Sequence, residues 1–220
     1  MVSLLQEKKP AKSMLETYEI SFLVMAILCN FAQGFKRLID LGLYNIYKDR
    51  LGLEPSEIEF MLGLISMPWV AKILFAIVVD NVTFFGSRRK SYLMLSCIIN
   101  LAALYSLIAW SANEGKYVVT ACVMLNQICM TVCDAIGDAL IVQAARLDPE
   151  HGADNLNSVT QGAAAAGGLI GCGVAGLLEY YSADTADPNI FFGLYSFLIT
   201  LLTVSVAAMS HKMEPEIVVQ

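Results

Sequence analysis

Residues 55–80 read PSEIEFMLGLISMPWVAKILFAIVVD, and the chain continues through Asn81 to Gly86-Ser87-Arg88-Arg89-Lys90. The first stretch is long enough to cross a bilayer as a helix, which takes about 20 residues. It holds a lysine, Lys72, roughly sixteen residues in. An ammonium in the middle of a hydrophobic helix is costly in lipid, so it faces a protein interior or a solute path. The basic hairpin that follows Asp80 is a short, charged loop of the kind that stays on the cytoplasmic side of a membrane. These residues define a membrane protein with a polar interior.

Composition leads to the same class. The chain of 220 residues is 57% hydrophobic and only 15% charged, with a mean hydropathy of +0.61. A soluble domain carries roughly 25% charged residues because it must cover a water-facing surface. A net charge of −6, with no basic stripe, argues against nucleic acid as a partner. The six cysteines (29, 97, 122, 129, 133 and 172) all lie in apolar segments without metal-ligand or disulfide-framework spacing, so they read as small packing residues. No metal site, cofactor site or catalytic residue is expected. Both histidines, His151 and His211, fall in a loop or the tail, and no Ser/His/Asp arrangement accompanies them.

Six apolar segments are expected to span, near 18–44, 57–80, 91–111, 117–146, 157–181 and 189–210, giving an all-α membrane protein. They form one domain over 18–210 between polar tails at 1–17 and 211–220, and the N-terminal tail has no secretory-signal pattern. Ser56 with Glu59, and Ser158 with Gln161, have capping-box spacing at the starts of the second and fifth spans. Even-numbered spans place both termini on one side. That side collects Lys8, Lys9, Lys12, Arg88, Arg89, Lys90, Arg146 and Lys212, against Lys48, Arg50 and Lys116 on the other. The basic side is expected to be the cytoplasm, or the matrix or stroma if the membrane is an organelle's inner one.

Three features inside the spans bear on chemistry. In the first span Lys36, Arg37 and Asp40 cluster after Asn30 and Gln33, and Lys36 and Asp40 are spaced to pair. In the fourth, Gln127, Thr131, Asp134 and Asp138 form one helical stripe, with Val123, Ile136 and Leu140 expected on the opposite side. Two carboxylates cannot face acyl chains, so the stripe should face the bundle and Lys72 should pair with Asp134 or Asp138. A buried ion pair that fixes packing and a ligand or proton site are both open at this point. In the fifth span Gly167, Gly168, Gly171 and Gly176 recur at small-residue spacing, which lets two backbones approach, either within this chain or against another.

At these residues the chain resembles the folate–biopterin transporter family of the major facilitator superfamily. The likeness runs through Tyr44-Asn45-Ile46-Tyr47-Lys48-Asp49, Pro68-Trp69-x-x-Lys72, Asp80, Gly86-x-Arg88-Arg89-Lys90, Asp134-x-x-x-Asp138 and Ala144-Ala145-Arg146. The resemblance implies twelve helices in two halves, of which these six match the N-terminal half. It implies a cytoplasmic motif at Asp80, Gly86, Arg88, Arg89 and Lys90. If transport persists, it implies a solute site from Arg37, Lys72, Gln127, Asp134 and Asp138 for a pteridine- or folate-like anion. A carboxylate can accept paired hydrogen bonds from a pterin, and protonation of a buried aspartate would couple uptake to a proton gradient.

Ile73, Ala76 and Val79 depart from the family pattern, which has Pro, Gly and Ser at those places; larger side chains there fit a surface that no longer contacts a second half. Two functions follow. The first is a structural accessory subunit of a larger membrane complex, derived from a transporter half. The second is a half-size transporter working as a dimer. Either expects the lipid bilayer and other membrane subunits or a second copy as partners, because six helices alone would leave the polar stripe open to lipid.

Overall fold

The computed structural model describes residues 17–82, 89–110, 115–149, 151–181 and 188–208, and the description that follows is confined to them. The tails, together with Gly86 and Arg88 of the basic hairpin, lie outside the described residues. Among the described residues the secondary structure is helical throughout, and six helical stretches are long and apolar enough to cross a membrane. The first is α1 (Ile20–Phe35) and α2 (Arg37–Asn45), closed by a π-turn over Ile46–Arg50; the second is α3 (Pro55–Val70) and α4 (Lys72–Asn81). The others are α5 (Lys90–Trp110), α6 (Lys116–Ala145), α7 (Gly152–Tyr181) and α8 (Pro188–Ala208).

Two spans expected to be continuous are broken. Pro68 cannot donate the i→i−4 bond and its ring crowds the carbonyl of Leu64, which disrupts a helix interior. The chain leaves helical geometry at Ala71 (φ −84°, ψ 4°), whose N–H is held by the Pro68 carbonyl at 3.1 Å, and restarts at Lys72. The first span is interrupted at Lys36 without a proline, where Ile39 N–H donates to the Lys36 carbonyl at 2.8 Å while the backbone stays helical (φ −54°, ψ −22°). At the far end of that span the π-turn runs into Gly52 at φ +59°, a conformation that favours glycine and turns the chain toward Pro55.

The capping boxes are corrected. Glu54 occupies the N-cap of α3 and Pro55 takes the first helical position, where its missing N–H costs nothing. Ser56 is therefore already helical. The fifth span starts at Gly152, so Ser158 and Gln161 lie about two turns or more inside it.

Packing centres on α6. It lies against α5, α3, α4, α7 and α1, and two-thirds of its apolar window is buried. Val123, expected opposite the polar stripe, stands one turn before Gln127 on the stripe's own face; Ile136 and Leu140, away from it, are 1–2% exposed, so α6 is enclosed on several sides rather than having one lipid face. The core also takes Phe22, Met25, Tyr47, Phe192, Tyr195 and Ile199 from the first and last spans. By contrast only 17% of the windows in the second and fifth spans is buried.

Among the described residues the seam between α1 and α7 packs backbone to backbone. A Cβ on Gly34 would collide with the Ala164 carbonyl, one on Gly167 with the Phe31 carbonyl, and one on Gly171 would lie 2.9 Å from the Phe35 carbonyl oxygen. Gly167 and Gly171 therefore serve packing within the chain. Gly168 borders the same seam at 3.9 Å from the Gly34 carbonyl oxygen, whereas Gly176 has open space around it.

Candidate solute site

The site is built where the break in the second span meets the stripe of α6. Restarting the helix at Lys72 places the N-terminal end of α4, with its partial positive charge, and the lysine ammonium at the same point. Lys72 Nζ donates to Asp134 Oδ2 and, at 2.6 Å, to Asp138 Oδ2. The expectation that Lys72 pairs with one of these aspartates is met by both. Asp134 is also held from α1, where Gln33 Nε2 donates to its other oxygen. The Trp69 ring lies 5.8 Å from the ammonium, within cation–π range.

The two carboxylates are not equivalent. The Asp134 side chain is 10% exposed, and the Asp138 side chain 58%. Between Leu125 and Val142, a fully described stretch, Asp138 is the one exposed residue of α6. The cluster has one cation against two anions, and it opens outward at Asp138.

Other residues read from the sequence fall elsewhere. Arg37 is exposed and forms no ion pair among the described residues, so it does not join the cluster. Lys36 pairs with Asp40 at 3.7 Å, as their spacing suggested. Gln127 is on the stripe but 1% exposed, and its amide atoms meet no hydrogen-bond partner among the described residues. At the opposite end of α6, Lys116 pairs with Glu57 at 2.8 Å and Tyr47 bonds to Thr120 at 2.5 Å, fastening the first, second and fourth spans together. Of the basic hairpin, Arg89 pairs with Asp80 at 3.2 Å and Lys90 donates to the Ala207 carbonyl at 3.3 Å.

Sequence reasoning missed Gln33 and Trp69 as parts of the site. Gln33 lies one turn before Arg37 on the same face, and that polar spacing in an apolar helix was the available signal. Trp69 stands three residues before Lys72, where one helical turn brings them together. Among the described residues no group of three or more His, Cys, Asp or Glu is arranged to hold a metal ion, and the six cysteines are free.

A six-span helical unit with an interior lysine–dicarboxylate cluster is an integral, multi-pass membrane protein of transporter-like build, the N-terminal half of a major facilitator fold. The chain belongs to the BT1 family, which matches residues 33–217. It is 33% identical over 206 residues to a folate-biopterin transporter of Synechocystis sp., covering 89% of this chain and 40% of that protein. It is 29% identical over 203 residues to the probable folate-biopterin transporter 4 of Arabidopsis thaliana, covering 91% and 40% respectively. Folate transporter 1 of Plasmodium falciparum matches at 29% identity over 132 residues, 59% of this chain and 25% of the relative. The chain thus spans about two-fifths of the length of the first two curated relatives. No solved structure matches it.

Proposed function

We propose that the chain forms one wall of a transport pathway for a pteridine- or folate-like organic anion, with Lys72, Asp134 and Asp138 as the solute-facing charges and Gln33 and Trp69 positioning them. The observation that carries this reading is the exposed Asp138 in the most buried helix. Water screens an exposed ion pair and competes for its hydrogen bonds, so an open carboxylate adds little to packing stability. Here one of the two salt bridges made by Lys72 is left open. The break at Ala71 supports the reading too, since interrupted spans concentrate helix-end charge at solute sites.

The test is uptake into proteoliposomes made from the full chain, with folic acid and biopterin as solutes. Saturable uptake that Lys72→Met abolishes, with the variant still folded, supports the proposal. Uptake indifferent to Lys72→Met overturns the site, and no uptake by the unaltered chain overturns autonomous transport.

A second reading, a structural subunit within a larger membrane assembly, is favoured by the outer surface of the second span. Val70 is 87% exposed and Ile73 73% exposed, forming an apolar face ready for another helix. Of the three departures in that span, Ile73 fits such a surface, whereas Val79 is 4% exposed and packs in the chain's own core. Mass measurement in mild detergent separates the readings: a symmetric pair of this chain favours transport, and single copies bound to unrelated subunits favour scaffolding.

A further inference from the structure

We propose that the first span carries a second binding station at Arg37, Tyr44 and Lys48, and that a folate-like anion lies along it, its carboxylated tail on these residues and its pteridine ring at the Lys72–Asp134–Asp138 cluster. This rests on the transport reading above and adds to it the orientation of the solute.

The station continues the site along one helix face. The backbone at Lys36 stays helical, so at 3.6 residues per turn Gln33, Arg37, Asp40 and Tyr44 fall within about 60° of one another around the first span. At one end of this face Gln33 donates to Asp134. Beyond it Arg37, Tyr44 and Lys48 are exposed, and the Lys48 ammonium lies 6.0 Å from the centre of the Tyr44 ring. Leu38, Ile39, Gly42 and Leu43, on other sides of α2, are buried. A polar strip thus runs from the cluster toward the end of the bundle where Tyr47 bonds to Thr120.

Lipid does not satisfy Arg37. It lies near the middle of a 31-residue stretch, Ile20–Arg50. With a hydrocarbon core about 30 Å thick centred on that stretch, Arg37 stands roughly 12 Å inside the nearer edge. A snorkelling side chain does not cover that distance, and a guanidinium does not give up its charge. Asp40 is engaged by Lys36, and Arg37 forms no ion pair among the described residues. The position calls for an anion from outside the bundle.

Charge divides the solute between the two stations. Lys72, Asp134 and Asp138 together carry a net −1. The segment from Lys36 to Arg50 carries a net +2, from four basic and two acidic residues. A carboxylate is repelled by the first and attracted by the second. The amino group and ring N–H of a pteridine are donors, which carboxylates accept as charge-assisted hydrogen bonds. The Tyr44 ring gives the aromatic linker of the tail a face to stack on.

The spacing agrees. Gln33 and Tyr47 are fourteen residues apart, as are the Asp134 and Thr120 that they bond, so the first and fourth spans run antiparallel. Asp138 and Arg37 therefore lie on opposite sides of the Gln33–Asp134 contact, roughly 12 Å apart along the axis. The aminobenzoyl linker of folic acid bridges such a gap.

The experiment is equilibrium binding to the full chain in nanodiscs of folic acid, which carries carboxylates on its glutamyl end, and of biopterin, which carries none. Arg37→Gln should weaken folic acid binding about tenfold, the loss of one charge-assisted hydrogen bond, and leave biopterin binding unchanged. Retained biopterin binding also shows that the variant is folded. Arg37→Lys should recover part of the loss. Asp138→Asn should weaken both compounds, because both carry the ring.

Equal weakening of the two compounds by Arg37→Gln, or weakening of neither, overturns the second station while leaving the transport reading standing. So does a fall in native mass of Arg37→Gln in mild detergent with folic acid binding unchanged, which assigns Arg37 to a contact between chains. An Asp138→Asn variant that loses folic acid but not biopterin overturns the orientation. Failure of the unaltered chain to bind either compound overturns both readings.

Discussion

Placing a methyl group on Gly167 tests whether the α1–α7 seam holds the bundle together. Its Cβ would overlap the Phe31 carbonyl oxygen and crowd the Phe35 backbone nitrogen, which lies 3.1 Å from the Cβ position. Both obstacles are main-chain atoms of a packed helix, so no rotamer change relieves them and the two helices must separate. Overpacking of a close-packed site costs about 1–3 kcal/mol, and a backbone-to-backbone clash belongs in the upper half of that range. Alanine gains about 1 kcal/mol over glycine in a helix interior.

The net expectation for Gly167→Ala is a loss of roughly 1–2 kcal/mol. Gly173 is the control on the same helix: nothing lies within 4 Å of its Cβ position, so Gly173→Ala keeps the propensity gain and incurs no clash. The two variants should differ by roughly 2–3 kcal/mol. At about 2–4 °C per kcal/mol for a chain of this size, their thermal midpoints in one detergent should separate by about 4–12 °C. Equal midpoints, or a Gly173→Ala midpoint below that of Gly167→Ala, would refute the assignment of the glycine seam to packing within the chain.

Lys72→Met should destabilise the bundle by about 2–4 kcal/mol, at or below the usual cost of breaking a buried pair because Lys72 is 29% exposed. Adding Asp134→Asn should recover part of that loss in a double-mutant cycle followed by thermal melting; independent, additive losses would count against the pairing. Asn126→Leu should cost about 1–3 kcal/mol, since Asn126 donates to buried Asn100 and would leave it unpaired. The Asn100→Leu/Asn126→Leu double variant should melt above either single variant. Cysteines introduced at Lys12, Lys116 and His211 should be labelled from opposite sides of the membrane, the first and last together; labelling of position 116 from their side contradicts the proposed sidedness.

What the sequence revealed were features whose cost allows few solutions. A run such as FAIVVD behind MPWVAK has one physical home, and all six expected spans are present, although the first runs on to Arg50 and the fifth starts at Gly152. Lys72 was legible for the same reason: a charge at that depth requires a partner, and the stripe of α6 offers carboxylates one turn apart. Local patterns without such a cost misled. Ser56-x-x-Glu59 and Ser158-x-x-Gln161 match a capping box, yet the same spacing is unremarkable inside a helix, where the residues before it decide. Pro55 starts α3 one residue earlier, and Gly152 starts α7 six residues earlier. The interruption at Lys36 has no proline to announce it and lies two residues after Gly34, which packs against α7.

The glycines of α7 show where sequence periodicity stops being informative. Spacing assigns residues to faces of a helix, but it does not say what each face meets. Gly167, Gly171 and buried Ala175 lie on the face taken by the first span, while Gly162, Gly173 and Gly176 have open space around them. A tally of small residues merges these two faces, because glycine is compatible with both an occupied seam and an open one. Asp138 behaves differently. A carboxylate tolerates neither lipid nor an empty apolar pocket, so its exposure on the most buried helix restricts what can adjoin it. Water or an opposing polar surface satisfies that restriction, and a sealed apolar core does not. The functional argument therefore rests on one exposed carboxylate more securely than on the glycine pattern.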